Sequence, residues 1–187
     1  MENDFKLSED QPISKACHDQ GLTHYADVFN YVKALPYGRT SNRGDFRLVL
    51  QEHKGTCSTK HALLKAIALE NSYTALELYL GIFKMNAVNT PKIRPVLEYY
   101  ELEYIPEAHC YLKHNNTITD LTFSTNNSTS FLDDLLHEET IIPDQIGDYK
   151  VRMHQSYIKF WIEDNKLRYN FEQLWNIREI CIKTFSE

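Results

Sequence analysis

Gly55-Thr56-Cys57-Ser58-Thr59-Lys60-His61-Ala62-Leu63-Leu64 is the stretch whose reading decides this chain. A glycine frees the backbone just before a cysteine, and Ala62, Leu63, Ala66, Ile67 and Ala68 then recur at helical spacing. The pattern predicts a buried helix from Cys57 to about Glu70, with the thiol in its first turn. There the unpaired backbone N–H groups and the positive end of the dipole favour an anion. A thiol so placed loses its proton more readily than a free one, and the thiolate is the nucleophile. A cysteine at a helix start is also an ordinary small apolar residue, so it needs partners before it implies chemistry.

Before this stretch, Thr23 can cap a helix ending at Leu35, with Tyr25, Val28, Phe29 and Val32 on one stripe and Pro36 as its stop. Residues 36–44 read as a loop, and Asp45 can cap a short helix to about Glu52. Residues 1–21 show no clear period and read as an irregular lead-in. After the cysteine helix, residues 73–83 alternate, with Leu76, Leu78, Leu80 and Ile82 on one face, which predicts a strand. Thr90-Pro91 opens a helix to about Leu102. Two further strands are expected at about 107–113 and 117–123. A polar loop at 125–130, a short helix at 131–136 and an extended Ile141-Ile142-Pro143 follow. Helices at about 150–163 and 170–184 close the chain, their apolar faces carrying Phe160, Trp161 and Trp175. The fold class is α+β, with a core over 22–124 and a C-terminal helical extension over 125–187 packed on it.

Asn115-Asn116 separates the two later strands, and asparagine tolerates positive φ, so a two-residue hairpin turn is the natural reading. His114 then pairs with Thr117, Lys113 with Ile118, Tyr111 with Asp120 and His109 with Thr122. That register puts His109 and Asp120 on one sheet face as diagonal neighbours, their Cβ atoms roughly 7 Å apart. A four-residue turn keeps this arrangement, and a three-residue turn destroys it. An imidazole steadied by a carboxylate on one side can present its other nitrogen to a thiol. Cys57, His109 and Asp120 are thus the smallest set for cysteine acyl chemistry: nucleophile, base and orienter.

Composition narrows the alternatives. The 187 residues are 42% hydrophobic and 12% aromatic with a net charge of −6, which fits a soluble globular protein. No basic block is present, so nucleic acid is not an expected partner. The apolar runs are too short for a membrane span, and the polar start lacks the order of a signal peptide. Four cysteines (Cys17, Cys57, Cys110, Cys181) without a CxxC pair predict reduced thiols in a cytoplasm. The sequons at Asn115 and Asn126 accordingly read as turn residues. His53, Cys57 and His61 lie four apart and would form a metal stripe on a continuous helix, but Gly55 interrupts it and a fourth ligand is missing. No metal and no cofactor are expected. His61 reads as a helix residue packing beside the site, and His114, His137 and His154 as surface or loop residues.

Gly55-x-Cys57 opening a helix, His109-x-Tyr111 on a strand and Asp120-x-Thr122 on the next resemble the transglutaminase-like superfamily of papain-like cysteine enzymes. The resemblance covers roughly residues 22–124. It implies a papain-like core, Cys57 as nucleophile, His109 as general base and acid, and Asp120 as the group that fixes the imidazole. The family often has tryptophan where this chain has Tyr111, and proline where it has Leu121. Neither position touches the reacting atoms.

The expected activity is attack on an amide or related acyl bond of a peptide, protein or small amide, through a thioester and ending in hydrolysis. Tyr37, Asn42, Gln51, Ser58 and Tyr111 are candidates for the oxyanion site or substrate contacts. The alternatives are acyl transfer, either of transglutaminase type or as in arylamine acetyltransferases, and a non-catalytic interaction domain that keeps the fold.

Overall fold

A computed structural model describes residues 4–115, 117–123 and 131–186. Among them the chain forms α1 (Pro12–His18), α2 (Tyr25–Ala34), α3 (Leu48–Glu52), α4 (Cys57–Glu70), β1 (Glu77–Asn86), α5 (Arg94–Tyr99), β2 (Tyr104–His114), β3 (Thr117–Thr119), β4 (Leu135–Ile141), α6 (Asp148–Asp164) and α7 (Phe171–Ser186). The strands make one sheet in the order β3-β2-β1-β4, so the α+β class holds. No described helix is long and apolar enough to cross a membrane.

The chain divides into two compact units. The first comprises Met1–Leu80, Cys110–Thr129 and Glu139–Gly147; the second comprises Gly81–His109, Ser130–Glu138 and Asp148–Glu187.

α4 is the axis of the first unit. Every residue from Cys57 to Ala68 is buried, with α1, α2, α3 and the 3-10 turn Pro143–Ile146 packed around it. Leu63, Leu64 and Ile67 of α4, Val28 and Val32 of α2 and Val49 of α3 are all at 0% exposure. Encirclement forces polar residues inside as well, and the two buried lysines of α4 donate to backbone carbonyls. Lys65 donates to Leu76 O, for example. The bounds of α4 are those its sequence predicts.

α1 corrects the expected irregular lead-in. Leu7, Ser14 and Cys17 are buried, and the Glu70 carboxylate accepts from Ile13 N–H (3.0 Å), Ser14 N–H (2.9 Å) and Ser14 Oγ–H (3.0 Å). The helix is too short for a period to show, and its cap comes from a residue distant in sequence.

β1 begins at Glu77 rather than Tyr73. Ser72 lies at φ 61° and Tyr73 N–H returns to Ala68 O, so the chain is still leaving α4. Leu78, Leu80 and Ile82 are nevertheless fully buried, as the alternation requires.

Near the turn the β2–β3 register is the expected one, with Leu112 opposite Thr119, Lys113 opposite Ile118 and His114 opposite Thr117, antiparallel. The ladder ends there, so the expected pairs Tyr111–Asp120 and His109–Thr122 are not part of it. Asn115 takes positive φ at 46°, while Asn116 lies outside the described residues, as do the loop over 125–130 and the sequon at Asn126. β3 stops at Thr119 and does not reach 123, because the next backbone groups turn to α4.

In the second unit α7 packs on α5 and α6, burying Ile93, Leu97, Ile158, Leu174 and Ile177. The expected helix over 90–102 is a 3-10 turn, Pro91–Ile93, followed by α5. The expected helix over 131–136 is a 3-10 turn, Leu132–Asp134, running into β4. Trp161 is buried, but Phe160 is 59% exposed and not part of an apolar face.

His154 is also corrected. It is buried on α6, with Nε2 2.8 Å from Pro106 O. His114 is half-buried and hydrogen-bonds Tyr73 through Nε2, whereas His137 is exposed as expected.

Candidate active site

Cys57 is the first residue of α4, and Thr56 precedes it as an extended N-cap. Thr56 N–H donates to Thr59 Oγ1 at 3.0 Å, so threonines complete the cap and the thiol stands at the helix mouth. Its side chain is sheltered, at 8% exposure, with Ser58 Oγ 3.8 Å from Sγ. Cys17 and Cys181 are buried as well. Burial, reinforced by Glu70, pushes the Cys17 thiol up to about 12. Burial and then Glu107 push Cys181 up to about 11. Both stay protonated at neutral pH.

The approach to Cys57 is set by Gly55. Gly38 N–H donates to Gly55 O (3.1 Å) and Gly55 N–H to Pro36 O (3.3 Å), making a short parallel bridge between Tyr37 and Gly55. The Tyr37 segment therefore runs beside the chain two residues before the thiol, and the Tyr37 ring stacks on Phe123 at 5.4 Å. Asn42 and Gln51 are not brought in this way. Both are solvent-exposed, and Asn42 Oδ1 accepts Gly44 N–H at 3.0 Å within its own turn.

Asp120 follows β3, and its side chain is 2% exposed. Its Oδ1 accepts Thr122 N–H at 2.9 Å and Thr122 Oγ–H at 2.5 Å, so the Asp-x-Thr pattern is a local turn that aims the carboxylate.

Two residues of α4 not singled out as functional grip the same segment. Lys60, at 0% exposure, donates to Leu35 O (2.6 Å), Leu121 O (3.2 Å) and Thr122 O (3.4 Å). Burial lowers the Lys60 ammonium to about 8, opposed by the charges of Asp120 and Cys57. His61, also at 0% exposure, has Nδ1 2.7 Å from Cys57 O and accepts Leu121 N–H on Nε2 at 2.7 Å. A sequence signal for both existed: polar residues inside a helix otherwise buried all round must have internal partners. Which partners they find is not encoded locally.

His109 lies on β2 in the second unit, half-buried, its ring edge-on to Phe131 at 4.7 Å and to Phe83 at 6.0 Å. Tyr111 is fully buried and stacks on Tyr79 at 5.9 Å, a core position rather than an open contact surface. His53 ends α3 in the left-handed region at φ 51° and hydrogen-bonds Tyr31 Oη, so the stripe with Cys57 and His61 is broken where Gly55 predicts. Among the described residues no group of three or more His, Cys, Asp or Glu is placed to hold a metal ion. The chain matches no family model, and comparison with curated proteins and with solved structures gives no significant match.

Proposed function

We propose that this protein is a cysteine hydrolase acting on an amide or related acyl bond, with Cys57 as nucleophile, His109 as general base and acid, and Asp120 as the orienting carboxylate. The observation that carries the reading is the attachment of the Asp120 segment to the helix that begins at Cys57. The thiol stands at the positive end of α4, and the next turn of that helix holds Leu121 on both of its backbone polar groups. Leu121 in place of the proline common in the resembling family also acquires a reason. Proline has no N–H to give His61.

In the proposed reaction His109 takes the Cys57 proton and the thiolate attacks the acyl carbon. The tetrahedral oxygen meets the Cys57 N–H, one of the amides that a helix start leaves without an internal partner. Of the expected sources for a second donor, Ser58 lies next to the thiol and the Tyr37 segment runs beside Gly55. The imidazolium then protonates the leaving amine as the C–N bond breaks, leaving a thioester. Water, deprotonated by His109, attacks the thioester, releasing the acid and returning the proton to the thiol. A transglutaminase-like core is the architecture this mechanism calls for.

The test is a panel of amide, peptide and thioester donors, with and without an added amine. Formation of an acyl adduct on Cys57 is followed by mass spectrometry. We expect the parent to acylate at Cys57 and release acid, and Cys57→Ala to do neither. His109→Ala is expected to fall by about 10²–10⁴-fold. Turnover that survives Cys57→Ala overturns the reading. So does alkylation by iodoacetamide at neutral pH that is no faster at Cys57 than at Cys17 or Cys181.

A further inference from the structure

We propose that His61 is a positioning residue for this reaction, a neutral clamp that fixes the Asp120–Leu121 peptide to the carbonyl of the nucleophile's own residue. The inference rests on the reading of Cys57 and Asp120 above. Leu121 N–H is a donor and can only donate, so the His61 Nε2 it meets at 2.7 Å is unprotonated. The ring proton therefore sits on Nδ1 and is donated to Cys57 O at 2.7 Å. One tautomer satisfies both bonds, and the imidazolium satisfies only one.

Neutrality matters because Asp120 Oδ1 is only 3.6 Å from the same Nε2. A protonated His61 would form an ion pair with Asp120 and compete with the base for it. As a neutral acceptor it holds the backbone beside Asp120 without setting a positive charge against the carboxylate. Lys60 completes the grip by taking Leu121 O and Thr122 O. Consecutive residues of α4 thus hold the N–H and the C=O of Leu121, so the carboxylate before it moves with the helix that carries the thiol.

Two uncharged substitutions separate the bonds. In His61→Gln the amide oxygen reaches the Nε2 position and can accept Leu121 N–H. In His61→Asn the shorter amide can still donate to Cys57 O but cannot reach Leu121. Lys60 and Asp120, the charged groups that act on one another beside Cys57, are untouched in both.

The readout is the pH profile of Cys57 alkylation by iodoacetamide in the full chain, resolved by peptide mass, beside Asp120→Asn. We expect Asp120→Asn to move the profile by about one pH unit. His61→Asn should move it in the same direction by at least half as much, and His61→Gln should keep the parent profile. A His61→Asn profile that stays with the parent while Asp120→Asn moves reduces His61 to packing and overturns the proposal alone. The same holds if His61→Gln shifts as far as His61→Asn. If Asp120→Asn leaves the profile in place, the Asp120 role fails and this proposal with it.

Should His61→Asn not fold, replacing Leu121 by its α-hydroxy acid exchanges the N–H for an ester oxygen and keeps every side chain. A shifted profile then supports the clamp, and an unshifted one overturns it.

Discussion

Gly55 shows how little room surrounds the thiol. A methyl group there would stand 2.8 Å from Lys60 Cγ, 3.1 Å from Thr59 Oγ1 and 3.2 Å from Val49 Cγ2. None of these can retreat freely, since Lys60 is anchored by its carbonyls and Thr59 by the cap. Gly55→Ala should therefore cost about 1–3 kcal/mol, measured as a lower urea midpoint. An unchanged midpoint would mean that Lys60 is not held as described. Glycine before cysteine was legible as a motif, but its cause was not. The sequence suggests backbone freedom, whereas the structure shows a close approach by side chains. Cys57 was legible in its setting because a helix start is written in adjacent residues, whereas Asp120, expected on a strand, stands in an Asp-x-Thr turn just past β3. His61 and Lys60 were not legible, because both find their partners sixty or so positions away.

Elements were legible in proportion to their length and periodicity. α4, α6 and α7 carry long apolar stripes, and the β2–β3 register follows from a two-residue turn. α1 and β4 carry no such pattern. β4 ends the sheet order, and its His137 and Glu138 are exposed, the polar character that protects an edge from pairing with another chain. α1 depends on Glu70 instead of its own side chains. Glu70→Ala should lower stability by about 1–2 kcal/mol and loosen α1 first. Cys17, a buried residue of that helix, would then be alkylated faster while Cys181 keeps its rate. Equal rates in parent and variant would show that α1 is held by packing alone.

The second unit is closed by a charge pair between segments 71 positions apart. Arg178 meets Glu107 through Nε at 2.6 Å and through a second nitrogen at 2.5 Å, with His154 Nε2 3.9 Å from the same carboxylate. Burial alone would raise the Glu107 carboxyl, but Arg178 and then His154 outweigh it and hold it down to about 2, from 4.5. Such a group stabilises the fold above about pH 4.5, and the contribution is lost as pH falls toward 2. His154 acts earlier. Burial keeps it below its ordinary 6.5, so the unfolded chain takes up its proton first and stability begins to fall below that value. Trp161 and Trp175 both lie in this unit, and their emission in urea should show a midpoint that declines below about pH 6.5 and more steeply below 4.5. Glu107→Gln should cost about 3–5 kcal/mol near neutrality and remove the steeper limb. A midpoint independent of pH would refute the pairing. Each compact unit is assembled from three separated stretches of chain, whereas periodicity reports only on consecutive residues. The order of residues was therefore enough for the class of fold, the helix that begins at the thiol and the pairing of the hairpin, because turn chemistry and apolar spacing act over a few positions. The clamp on Leu121, the cap on α1 and the Glu107–Arg178 pair arose only from folding. A buried polar group must find a partner wherever the packed chain brings one, and that address is not written beside it.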